Sequence, residues 1–231
     1  MVKKQDYQSK IDSMSESSFY QQNIKTLTGL RRLYLVYLAQ KYACSKELYF
    51  HSLGVLGSSV YNKNRQRLLI KREQEIEFIL ASLEKVIEKE CGDDIDFLEK
   101  LDAMVEQEIF SDLTPEVFTK PNEMSPDNNC ICEYIMCSKL FYATNNQETY
   151  EEMIALYEHY LEQRNELQAQ ITALNISLEK GLPQFVKLSI ENAKIELILS
   201  NIKEIMIQKF GESINETLTT LESNISNKKR K

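Results

Sequence analysis

Leu69, Ile76, Leu80, Leu83 and the adjacent Val86 and Ile87 recur at steps of three, four and seven between residues 63 and 91, a stretch without glycine or proline. This spacing gathers apolar side chains on one face of a helix, whereas a strand needs alternate residues on one face. Over all 231 residues there are only 6 Gly and 4 Pro. Hairpins and sandwiches need turn residues far more often. The expected fold is therefore all-α, an antiparallel array of about eight or nine helices.

The apolar pattern places helices over residues 24–42, 46–61, 63–91 and from 93 or 94 to about 110, then 130–142, 149–180 and 183–210, and a last one from Ile214. Ser45 is the expected cap of the second, and Gly54 and Gly57 within it allow close helix contact. Gly92, Gly181 with Pro183, and Gly211 are the expected stops. Residues 1–23 read as a polar extension, 24–225 as one helical domain, 111–129 as a proline-bearing loop inside it, and 226–231 as a basic tail.

Charge is distributed unevenly around a net of −7. Residues 1–72 carry 13 Lys and Arg against 4 acids, and residues 73–116 carry 15 acids against 3 lysines. The helix from Lys63 to Cys91 spans the change of sign. Lys63, Arg65, Arg67, Lys71 and Arg72 crowd its N-terminal turns and Glu84, Glu88 and Glu90 its C-terminal turns. Each charge so placed opposes the helix dipole, by about 0.3 to 1 kcal/mol in the terminal turns. Neighbouring helices could neutralise these charges, or the helix presents a surface to a partner, including a second copy of the chain.

No apolar run approaches the ~20 residues needed to cross a bilayer, and the start of the chain has no signal-peptide core. Five cysteines without framework spacing point to a reducing, cytoplasmic setting. Cys130, Cys132 and Cys137 do not supply four converging ligands, so no metal is expected. His51 and His159 stand in no metal-binding pair and read as bystanders. Phosphate-binding glycine loops and nucleophile elbows are missing. The expectation is no enzyme, no cofactor, and no nucleic-acid or membrane partner.

From Pro183 to Leu221 the chain resembles the seventh and eighth helices of 14-3-3 proteins, with Pro183, Leu188, Asn201, Glu204, Glu216 and Leu221 coinciding. Residues 132–142 (CEYIMCSKLFY) resemble the fifth helix, Val36 to Ala39 is similar to part of the first, and Gln66 to Leu69 falls at the start of the third. The resemblance implies a dimeric adaptor whose helical groove binds phosphoserine or phosphothreonine segments, without the ninth helix of the family. The groove residues it implies are Lys71, Arg72, Gln74, Lys85, Met136, Ala143, Glu191, Asn192 and Lys194. Several depart from the family pattern: Gln74, Ala81 and Lys85 replace a lysine and two arginines, and Met136 and Ala143 replace a lysine and an arginine. A degraded phosphate site follows. The dimer interface is expected at Leu30, Tyr34, Tyr37 and Leu38, because the helix over 24–42 is apolar nearly all round. The alternative is an unrelated helical bundle acting as an interaction or effector protein.

Overall fold

A computed structural model describes residue 19 and residues 23–52, 60–91, 95–110, 147–174 and 181–228. These residues form six α-helices and no strand: α1 (Leu27–Ser52), α2 (Val60–Cys91), α3 (Ile95–Phe110), α4 (Gln147–Ala173), α5 (Leu182–Phe210) and α6 (Ile214–Lys228). None is long and apolar enough to cross a membrane. The chain divides into two compact units, residues 1–114 with 170–193, and residues 115–169 with 194–231.

In the first unit α1 is the central element. Leu33, Leu35, Val36, Leu38, Ala39, Ala43 and Cys44 are all nearly inaccessible, as the apolar density of this stretch requires. Thr26 caps the helix, its hydroxyl accepting from the Gly29 amide at 3.1 Å. Gly29 is needed because a Cβ there would fall inside the backbone carbonyl of Asn23. Gly29→Ala is expected to cost about 1 to 3 kcal/mol through overpacking, measured by urea denaturation.

The expected break after Tyr42 does not occur: α1 runs on to Ser52. Ser45 is no cap. Its hydroxyl bonds the Lys41 carbonyl at 3.2 Å and the Glu73 carboxylate of α2, so a polar residue in mid-helix finds partners on both sides. Helix α6 runs on through Ser226 to Lys228, the start of the stretch expected as a tail. The expected loop over 111–129, the helix over 130–142 and the cap at Asp93 or Asp94 lie outside the described residues.

Helix α2 returns antiparallel to α1 in a fixed register. Tyr34 donates to Glu84 at 2.9 Å, Lys41 lies 3.7 Å from Glu77, and Ser45 meets Glu73. Steps of seven and four along α1 are thus matched by steps of seven and four back along α2. A second row follows the same rule: Gln40 accepts from Arg72 at 3.5 Å, and seven residues on, Glu47 accepts from Arg65 at 2.9 and 3.1 Å. Helix α3 runs in the direction of α1. Arg31 sits over Phe97 at 4.6 Å, Tyr42 donates to Asp102 at 3.0 Å, and the Lys46 ammonium reaches the Ile109 carbonyl at 2.8 Å.

The second unit repeats the antiparallel logic with α4 and the C-terminal part of α5. Tyr150 packs edge-on against Phe210 at 4.9 Å, and fourteen residues along, Arg164 lies 3.8 Å from Glu196, fourteen residues back from Phe210. Between them Tyr157 turns to α6 and donates to Glu222 at 2.5 Å. Gly211, at φ 87°, closes α5, with its amide donating to the Ile207 carbonyl at 2.9 Å. That left-handed conformation costs glycine little. It accounts for the break expected between α5 and α6.

Candidate functional site

Helix α2 has three sectors, and they separate what looks like a lengthwise charge gradient. Leu69, Ile76, Leu80, Leu83 and Ile87 form the buried face; Val86, expected in that stripe, is 43% exposed. Glu73, Glu77 and Glu84 lie on the flank that meets α1. Lys63, Arg67, Lys71, Lys85 and Lys89 are exposed. Neutralisation by a neighbouring helix thus holds for Arg65 and leaves these five cations on the surface.

Arg65 is 1% exposed and Glu47 9%. His51, at 3.9 Å from Glu47, has a side chain only 3% exposed and is packed beside this pair. Burial alone would push the Glu47 carboxyl up. The Arg65 charge, first, and its two hydrogen bonds outweigh it and hold the group at about 2.

The acid flank opens onto a cleft of about 590 Å³ between α1, α2 and α3. Its floor is Leu38, Leu80 and Leu98, with Ala81 and Ala103 at the lip. Among the described residues its rim carries six carboxylates, Glu77, Glu84 and Glu88 from α2 and Glu99, Asp102 and Glu106 from α3, against the single cation Lys41. Glu77, Glu84 and Asp102 are engaged by Lys41, Tyr34 and Tyr42. Glu88, Glu99 and Glu106 are exposed and have no hydrogen-bond or ion-pair partner among the described residues. Burial, and then the neighbouring carboxylates, raises the ionisation of the Tyr34 and Tyr42 hydroxyls well above the usual phenol range. Both therefore stay protonated and act as donors that fix the rim.

No family model, curated protein or solved structure matches the chain. The cleft's chemistry must therefore be read from its own residues. Among the described residues no three His, Cys, Asp or Glu groups converge closely enough to hold a metal ion. The carboxylates are spread over two helices around an apolar floor. This suits an extended ligand bearing several cations better than one small ion. Among the described residues no cysteine, serine or histidine lines the cleft.

Of the residues carried over from the 14-3-3 resemblance, Lys71, Arg72, Gln74, Lys85, Glu191, Asn192 and Lys194 are not among the described residues lining this cleft. Lys71, Gln74 and Lys85 share the exposed side of α2, while Arg72 is half-buried against Gln40. Asn192 is fully buried, and neither of its amide atoms has a hydrogen-bond partner; Glu191 and Lys194 are half-buried. Met136 and Ala143 lie outside the described residues. Leu30, Tyr34 and Leu38 are buried within a single chain and Tyr37 is half-buried. Of the cleft residues, Tyr34 and Leu38 are expected from sequence in a dimer interface, Ala81 at a groove position, and Leu80, Glu84 and Glu88 in the stripe and charge pattern of the helix over 63–91. The signal that could have found the rim is the matched seven-residue spacing of Tyr34 and Lys41 with Glu84 and Glu77.

Proposed function

We propose that this protein is a cytoplasmic, non-enzymatic adaptor that binds segments of partner proteins, and that the cleft of the first unit takes a segment carrying several lysines or arginines. The observation that supports this reading is the excess of carboxylates over an apolar floor, three of them without a counter-charge among the described residues. The apolar floor supplies contact area and the rim supplies orientation and sign. The kinship with 14-3-3 proteins and the degraded phosphate site form part of the same proposal. A phosphate brings ~1.5 to 2 negative charges, which this rim repels.

The test is fluorescence titration of three labelled peptides of equal length: one alternating lysine with leucine, one with glutamate for lysine, and one phosphoserine peptide. The lysine peptide is expected to bind, more weakly as salt is raised. Replacing Glu88, Glu99 and Glu106 together by Gln is expected to weaken it by about threefold to a hundredfold, at roughly 0.2 to 1 kcal/mol for each exposed pair. Equal binding of all three peptides, or an unchanged affinity in the triple variant, rules out the cleft as the site.

A further inference from the structure

Glu88, Glu99 and Glu106, the rim carboxylates without a partner among the described residues, are nearly evenly spaced along the cleft. Tyr34 with Glu84, Lys41 with Glu77 and Ser45 with Glu73 fix the register of α2 on α1. Arg31 with Phe97, Tyr42 with Asp102 and Lys46 with Ile109 fix that of α3. Carried along these registers, Glu88 stands level with Leu30, Glu99 with Val36 and Glu106 with Ala43, to within a turn. At about 1.5 Å per residue, successive carboxylates are therefore ~9 and ~10 Å apart along the cleft. Two turns of a helix, seven residues, span ~10.5 Å. Three residues of extended chain span ~10 Å.

Backbone hydrogen bonding decides between the two. An extended chain lying on the apolar floor needs partners for its own amides and carbonyls. The described walls are interior turns of α1, α2 and α3, whose backbone groups bond one another. The Tyr34 and Tyr42 hydroxyls are already given to Glu84 and Asp102, and the Lys41 ammonium to Glu77. A helix brings its own backbone bonds and presents only side chains to its surroundings. We propose, resting on the reading of the cleft as a site for cationic segments, that its occupant is an amphipathic helix with a lysine or arginine about every seven residues. Its apolar stripe lies on Leu38, Leu80 and Leu98, where the small side chains of Ala81 and Ala103 at the lip let it approach. Its cations reach Glu88 on one wall and Glu99 and Glu106 on the other.

Two labelled peptides of equal length and composition, each with three lysines among leucine, alanine and glutamine, separate the cases by fluorescence titration against the full chain. In one the lysines stand seven residues apart, in the other three apart. As a helix the second spaces its lysines by only ~4.5 Å and cannot meet all three carboxylates, whereas as an extended chain it can. The seven-spaced peptide is expected to bind about twofold to thirtyfold more tightly, and to gain helical circular dichroism on binding. Glu88→Gln and Glu106→Gln should each weaken it. In double-mutant cycles one terminal lysine should couple to Glu88 and the other to Glu106. Equal or tighter binding of the three-spaced peptide overturns the proposal while leaving the cleft a site for cationic segments. So does binding without a gain of helix, or a terminal lysine that couples equally to both glutamates. If neither peptide binds, the proposal falls together with the site itself.

Discussion

Arg65→Ala is expected to cost about 3 to 5 kcal/mol of folding stability, because it leaves the Glu47 carboxylate buried without its counter-charge. The guanidinium reaches both oxygens of Glu47, at 2.9 and 3.1 Å, and joins the two helices near the α1–α2 connection. A marginally stable domain has only about 5 to 15 kcal/mol in all, so the variant should lose a large part of its denaturation midpoint in urea. The informative comparison is the double variant Arg65→Met with Glu47→Leu. Replacing both charges by apolar groups of similar volume removes the desolvation penalty along with the attraction, and is often nearly neutral. The double variant should therefore be more stable than Arg65→Ala alone. If Arg65→Ala is as stable as the wild type, the pair is not buried as described.

The same pair makes stability depend on pH. The Glu47 carboxyl titrates at about 2 in the folded chain against an ordinary value of 4.5. Because the folded value is the lower one, its contribution is fully present above pH 4.5 and is lost as pH falls from 4.5 towards 2. A difference of this size corresponds to about 3 kcal/mol. Thermal melts should fall steeply over that interval, and Glu47→Gln should flatten this part of the profile while lowering stability at neutral pH. A wild-type profile that stays level down to pH 2 would contradict the assignment.

Helix type was legible wherever apolar residues kept a three-and-four spacing, as at Leu69, Ile76, Leu80 and Leu83, and the turn at Gly211 was legible because only one residue type tolerates that backbone at low cost. Less accessible was anything that depends on which helix lies beside which. Ser45 has the chemistry of a cap, and only Glu73 on the next helix explains why the chain continues through it. Arg65 reads like its charged neighbours Lys63 and Arg67, yet it alone of the three is buried, because Glu47 stands opposite. The cleft is spread over three helices, so no local motif marks it. What sequence did offer was the charge inversion itself, whose angular sorting into a buried face, an acid flank and a cationic outer side becomes visible only once the buried face is known.

The matched steps along α4 and α5 bear on how this chain tolerates changes of length. Tyr150 with Phe210 and Arg164 with Glu196 are two rungs of a ladder whose spacing is a whole number of seven-residue repeats. Excising seven residues from each helix between these rungs would return the remaining side chains to nearly the same faces, while the loss of one residue from either helix would swing every later side chain by about 100°. The second unit is thus built to shorten or lengthen in repeats, and paired insertions or deletions of that size are the kind its descendants could survive.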